Sequence, residues 1–227
     1  MDVLFPPICV NCGKSLNTEE KTRGLCAYCF TAIPIANTLT CPVCKARLAE
    51  NVKICHFDTS YRLAAASNYE NPIIKNLIWQ IKYQKKTGAV ESLAQILFEH
   101  LKILKLNLKN YTLLSVPLHK ERERARGFNQ SELVAHSLSR KLNLAIIANG
   151  FVRSKNTPPQ AEARDFGERE KNLRDSFQVT AKEIITGRNI ILIDDVFTSG
   201  ATMNAAVAAL KEAGAKHVIG LVVAKAG

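Results

Sequence analysis

The run Ile190-Ile-Leu-Ile-Asp194-Asp195-Val-Phe-Thr198-Ser199-Gly200-Ala201-Thr202 leaves this chain few choices of fold. Four apolar residues in succession suit a strand buried on both faces, the habit of parallel sheets covered by helices. Two carboxylates follow, and a small, hydroxyl-rich turn then opens a helix, whose N-terminus favours an anion. Carboxylates at the C-terminal end of such a strand stand where open α/β sheets bind ligands. The segment therefore describes a pocket for a phosphorylated sugar. Asp194 and Asp195 would take the hydroxyls, and Thr198, Ser199, Gly200, Ala201 and Thr202 the phosphate. Asp-Asp alone would be an ordinary strand edge with solvated acids, and Thr-Ser-Gly an ordinary turn; the conjunction is what favours a site. Magnesium accompanying such a ligand would be held mostly by the ligand's own oxygens.

With 227 residues and a hydrophobic fraction of 47%, the chain can hold one α/β domain and a small appendage. Its formal net charge of +11 predicts attraction to polyanions, whether nucleic acid or phosphorylated small molecules. The first residues, Met1-Asp-Val-Leu-Phe-Pro-Pro, lack the charge and apolar length of a signal peptide. No run approaches the roughly 20 apolar residues that span a bilayer. A cytoplasmic protein without membrane insertion is expected, and there cysteines serve as metal ligands more often than as disulfides.

All seven cysteines lie in the first quarter of the chain. Cys9-Val-Asn-Cys12 and Cys26-Ala-Tyr-Cys29 have the spacing of two knuckles sharing one tetrahedral zinc, with Gly13 a plausible turn residue. Four thiolates leave no open coordination position, so such a zinc is structural. Cys41-Pro-Val-Cys44 begins a second set, followed by Cys55 with His56 and Asp58 beside it. Adjacent Cys55 and His56 are awkward ligands for one ion. A three-thiolate site borrowing another group, a ribbon without its metal, and a different pairing of the knuckles all remain open.

Beyond about Tyr61 the composition changes, which divides the chain into a cysteine-rich head at 1–60 and an α/β domain at 61–227. Pro72 to Tyr83 has apolar residues at helical spacing, with Lys82, Lys85 and Lys86 at its end, either solvated or facing a ligand. A second amphipathic helix is expected over Ala89 to Leu106. Tyr111 to Val116 reads as a buried strand, followed by a basic loop and a helix from about Ser131 to Leu142. Within that loop, Arg126-Gly127-Phe128-Asn129-Gln130 could present an arginine and two amides to an anion. Leu144 to Val152 suggests another strand, and the polar stretch from Arg153 to Ser176 a lid whose arginines close over pyrophosphate. A helix over Ala201 to Ala213 and a strand within Lys216 to Ala224 complete the chain.

The Asp194-Asp195 motif resembles the phosphoribosyl pyrophosphate signature of type I phosphoribosyltransferases. Val116-Pro-Leu-His-Lys, Arg126-Gly-Phe-Asn-Gln130, the spacing of Gln160, Arg169, Asn172 and Phe177, and Leu77 to Tyr83 add a more specific resemblance to the ComF family. Val52 departs from it, standing where a second-ribbon cysteine might sit. The resemblance implies a type I phosphoribosyltransferase-like (Rossmann-like) parallel sheet flanked by helices, behind a double zinc ribbon. It implies magnesium-dependent binding of phosphoribosyl pyrophosphate, with Lys82 or Arg126 on the pyrophosphate and Asn129 and Gln130 nearby. It further implies a role in natural transformation, with single-stranded DNA and competence proteins such as a DNA helicase as partners. Whether a ribose-5-phosphate group is transferred to a base or nucleic-acid acceptor is left open, because the fold also serves regulators that bind without turnover.

Overall fold

The computed structural model describes residues 7–48, 55–56, 59–84, 88–155 and 176–226. Five strands form one parallel sheet: β1 (Arg62–Asn68), β2 (Tyr111–Ser115), β3 (Ile146–Ile147), β6 (Asn189–Phe197) and β7 (His217–Lys225), in the order β1-β7-β6-β2-β3. The expected central strand is β6. Ile190, Ile191, Leu192 and Ile193 are all fully buried, and they alternate between the two faces as a strand's period of two requires. Ile191 and Ile193 enter one core with Leu77 and Ile81 of α3 (Pro72–Gln84), Leu93 and Leu97 of α4 (Gly88–Leu104) and Leu138 of α6 (Gln130–Leu142). Ile190 and Leu192 enter the other with Val207 and Leu210 of α7 (Ala201–Glu212). Burying a side chain of this kind stabilises by about 1.5–3 kcal/mol, so helices on both faces follow from the apolar run itself.

Chain direction fixes where the sheet opens. From β2 the chain passes through α6 on one face to β3; from β6 it passes through α7 on the other face to β7. Neighbouring strands β2 and β6 thus send their connections to opposite sides, which leaves a crevice beyond their C-terminal ends. Strand β6 outlasts β2: Ser115 pairs with Ile193, whereas Asp194 and Phe197 pair only toward β7. The acids therefore lie at the mouth of that crevice.

The structure departs from expectation at three places. Strand β1 was not anticipated: Leu63-Ala-Ala-Ala66 gives little strand signal, yet all four are buried, small enough for helices to approach closely. The basic loop contains a short helix, α5 (Lys120–Arg126), capped by His119 and ended by Gly127 at φ 91°. Leu144 to Val152 is two strands rather than one. β3 joins the main sheet, while β4 (Phe151–Arg153) pairs antiparallel with β5 (Phe177–Val179), stacking Phe151 on Phe177. The expected lid falls mostly at 156–175, with Gln160, Arg169 and Asn172, and these lie outside the described residues, as do Lys85 and Lys86.

The cysteine-rich head shares the first core. Cys9, Leu16, Leu25, Cys26, Cys29 and Ile33 are buried in the same cluster as Leu77 and Ile81. Short helices α1 (Thr18–Lys21) and α2 (Ala27–Thr31) complete the first ribbon. Polar ties fix its seat, since Gln80 Nε2 donates to the Val10 carbonyl at 2.7 Å and Asn76 to Asn11 Oδ1 at 2.8 Å. Among the described residues no helix is long and apolar enough to cross a membrane.

Candidate functional site

Two groups of metal-ligating side chains come together in the head. Cys9, Cys12, Cys26 and Cys29 form one, and Cys41, Cys44, Cys55 and His56 the other; within each, the donor atoms lie within 4.8 Å of one another. Tetrahedral zinc with Zn–S near 2.3 Å separates its sulfurs by about 3.8 Å. The Cys12–Cys26 and Cys44–Cys55 sulfur pairs both stand at 3.7 Å, so both donor sets fit the ion. Burial pushes the Cys29 thiol up to about 12, whereas at Cys9 burial is outweighed by backbone hydrogen bonds from Cys26, Cys12 and Asn11, which bring it down to about 7. Asn11 Nδ2 and the Cys29 N–H donate to cluster sulfurs at 3.3 and 3.5 Å, the outer support such ligands use.

His56 brings a fourth donor to the second set. Its Nδ1 lies 3.3 Å from Cys41 Sγ, and adjacency to Cys55 proves no obstacle because the two side chains approach the cluster together. The two knuckles share one design. Cys9 N–H donates to Lys14 O and Gly13 N–H to Cys9 O; likewise Cys41 N–H donates to Ala46 O and Lys45 N–H to Cys41 O. Gly13 sits at φ 75°, as expected of the turn residue, whereas the equivalent Lys45 takes φ 59°.

At the crevice, the site is built around the two acids. The Lys82 ammonium, at the end of α3, lies 2.8 Å from Asp195, and Gln130 Nε2 donates to the same carboxylate at 2.7 Å. Arg126 donates to Gln130 Oε1, so Lys82, Asp195, Gln130 and Arg126 form one chain of contacts. Asp194 has different partners: Ser131 Oγ donates to it at 3.1 Å and the Asp195 N–H at 2.9 Å. Both carboxylates face the first turn of α6, where the helix dipole favours negative charge.

Electrostatics separates the pair. Burial, and then the charge of Asp195, pushes Asp194 up to about 7, against the N–H, Lys82 and Ser131 that favour its ionised form. Burial alone would lower Lys82, but Asp195 and Asp194 outweigh it, so the lysine is held above its ordinary value. One negative charge is thus matched internally by a cation, while the second carboxyl stays poised near neutrality.

Beside the acids, the turn Thr198–Gly200 leads into α7, and a hollow of about 20 Å³ is lined by Asp194, Thr198, Gly200 and Thr202 among others. Gly200 takes φ 85°, and an added Cβ would stand 2.7 Å from the Phe197 ring. Only glycine fits there, and as N-cap it brings no side chain of its own to the helix N-terminus. The exposed Ser199 and half-buried Thr198 stand beside this helix start, where an anion is favoured.

Asn129 also has a structural part. Its amide donates to the Val116 carbonyl at 3.0 Å and its oxygen accepts from Ser131 N–H at 3.0 Å, so it pins α6 to the end of β2. Sequence reasoning missed Ser131 as the partner of Asp194 and gave Arg153 only a place at the start of the polar lid. Arg153 is buried against Phe177, its Cζ 5.3 Å from the ring centroid, within electrostatic reach of Asp194. A serine opening a helix two residues after an Asn N-cap was the available signal for the first; for Arg153 it was the place at the head of an arginine-bearing polar stretch. Next to Arg153 and Asn129, a cleft of about 260 Å³ runs between the end of β2 and the β3–β4 connection.

Comparison with known proteins agrees with this architecture. Residues 1–57 match the double zinc ribbon domain and residues 127–227 the phosphoribosyl transferase domain. "Competence protein F" of Haemophilus influenzae is 28% identical over 222 residues, covering 92% of this chain and 93% of that protein. "DNA utilization protein YhgH" of Escherichia coli K12 is 29% identical over 194 residues, 79% of this chain and 81% of its own. "Competence protein ComFC" of Bacillus subtilis is 37% identical over 106 residues, 47% of this chain and 40% of its own. With a double zinc ribbon ahead of a phosphoribosyl transferase domain on a parallel five-stranded sheet, the chain matches the ComF family in architecture and in its named relatives.

Proposed function

We propose that this protein binds phosphoribosyl pyrophosphate with magnesium at the end of β6, and that it serves the handling of single-stranded DNA during natural transformation. The observation that carries the ligand assignment is the joint placement of Asp194 and Asp195 with the Thr198–Thr202 cradle at the switch point of the sheet. Asp194 would accept from ribose hydroxyls, the start of α7 would hold the 5′-phosphate, and Lys82 and Arg126 would meet the pyrophosphate. Magnesium would supply charge neutralisation of the pyrophosphate, held mainly by ligand oxygens. Zinc would be structural in both ribbons, with His56 the fourth ligand of the second.

The names of the relatives, competence proteins and a DNA utilization protein, support the DNA role. So does the net charge of +11. A cytoplasmic location and a competence helicase as partner belong to the same proposal. Calorimetric titration with phosphoribosyl pyrophosphate and magnesium tests the pocket: saturable binding by the wild type is expected, weakened at least about tenfold in Asp194→Asn/Asp195→Asn. No binding by the wild type would sink the assignment. Affinity for single-stranded DNA should fall steeply with added salt; an affinity indifferent to salt would count against charge-driven binding.

One observation favours turnover as a second reading. The cleft of about 260 Å³ shares Arg153 with the surroundings of Asp194 and is roomy enough for a base-sized acceptor. Pyrophosphate release in the presence of free bases or single-stranded DNA would establish a transferase; binding without release would leave a ligand-responsive binder.

A further inference from the structure

Helix α3 carries two large aromatic rings that serve neither the core nor the ligand site. Trp79, the chain's one tryptophan, is 48% exposed and Tyr83 is 69% exposed. Four residues apart, they lie on one face with about 6 Å of rise between them. The face they leave behind is fully occupied, since Ile74, Leu77, Ile78 and Ile81 are buried against the sheet. Single exposed apolar residues are ordinary. Adjacent rings on a helix clamped by Gln80 and Asn76 to the zinc ribbon form a rigid platform instead.

Cations flank that platform. Lys75 stands one turn before Trp79, pairing with Glu70 at 2.8 Å and covering Tyr69 at 5.6 Å. Both members of the ion pair are exposed, so a phosphate could replace Glu70 at little cost. On the ribbon, Tyr28 is 76% exposed with the Lys14 ammonium 5.8 Å from its ring centroid, and its neighbour Cys29 is tied through Asn11 to Asn76 of α3. Exposed rings alternating with cations are the chemistry that holds single-stranded nucleic acid: bases stack on the rings while phosphates meet the charges. A protein partner could also use Trp and Tyr, but a chain of net charge +11 favours a polyanion.

We infer that the Trp79–Tyr83 face of α3 stacks successive bases of single-stranded DNA, with the strand's phosphates along Lys75 toward Lys14 on the ribbon. The inference rests on the DNA role proposed above and names its surface.

Trp79 is its own reporter. Titrating the full-length, zinc-loaded protein with an oligothymidylate of about 20 nucleotides should quench its fluorescence saturably. By anisotropy of a labelled strand, Trp79→Ala/Tyr83→Ala should bind at least about tenfold more weakly, while Trp79→Phe, which keeps a ring, loses little. Both variants should keep wild-type zinc content and calorimetric affinity for phosphoribosyl pyrophosphate. A duplex, whose base faces are covered, should quench far less. Strong DNA binding without quenching, and unchanged in the double variant, would overturn this surface while leaving the DNA role standing. Equal quenching by the duplex would overturn stacking. No DNA binding by the wild type would overturn both surface and DNA role, with the ligand pocket judged separately by calorimetry. Sedimentation showing a dimer that the double variant breaks, without effect on DNA, would assign the face to a second copy of the chain and overturn the inference.

Discussion

The molecule gathers ionisable groups in two regions, and the two differ in where a balancing cation comes from. In the head, cysteine sulfurs converge from separate knuckles with no lysine or arginine among the cluster members, and the donor set calls for an ion from outside. In the crevice, two carboxylates adjoin, and Lys82 neutralises one of them from within the fold. A closed four-ligand set can only hold the fold together. The half-neutralised pair leaves Asp194 raised to about 7 at the edge of a hollow.

The largest effect should come from the head. Cys29→Ser removes a buried ligand of the first set and should cost about 4 kcal/mol or more, read as a fall in thermal midpoint with loss of zinc. His56→Ala at the more exposed second set should lower zinc content by one equivalent with a smaller fall in midpoint. If both variants kept wild-type stability and wild-type zinc content, the head would not be the metal-dependent region described. Next comes Asp195→Asn, which strands the Lys82 ammonium and should destabilise by about 3 kcal/mol by denaturant titration. Combining it with Lys82→Met should cost less than the sum of the two, and simple additivity would mean the ion pair contributes nothing.

Asp194 should show an effect of pH rather than of size. Its folded pKa lies above that of an unfolded aspartate, so the proton it binds stabilises the fold most fully at low pH. That contribution is lost as pH rises from about 4 to about 7. Asp194→Asn should flatten the stability profile across this window, and an unchanged slope would contradict the assigned environment. Smallest is Ser131→Ala, where one hydrogen bond to Asp194 is worth about 1 kcal/mol.

The parts of the molecule that could be read in advance are those whose local pattern and final environment agree. Ile190 to Ile193 announced a two-sided buried strand because a short, β-branched-rich aliphatic run ended by polar residues and a glycine turn suits one, and the acids and Gly200 followed at the strand's end. Strand β1 was hidden because alanines pack well in many settings and point to no single element. His56 looked an unsuitable ligand while only its adjacency to Cys55 was visible; the course of the chain decides whether neighbouring side chains can converge. Lys82 was legible as a cation at a helix end, but its bond to Asp195 depends on α3 meeting β6, which no spacing within α3 reveals. Asn129 was chosen for its chemistry, and its amide also ties α6 to the end of β2, since amides serve backbone and ligand equally well.

The most direct test of the pocket is a calorimetric titration of phosphoribosyl pyrophosphate with magnesium at several pH values, comparing wild type with Asp194→Asn. Wild-type affinity should rise as pH passes through about 7 and Asp194 ionises, with the variant weak and free of that rise. Absence of wild-type binding, or a variant that matches the wild type at every pH, would contradict the assignment of Asp194 to the ribose.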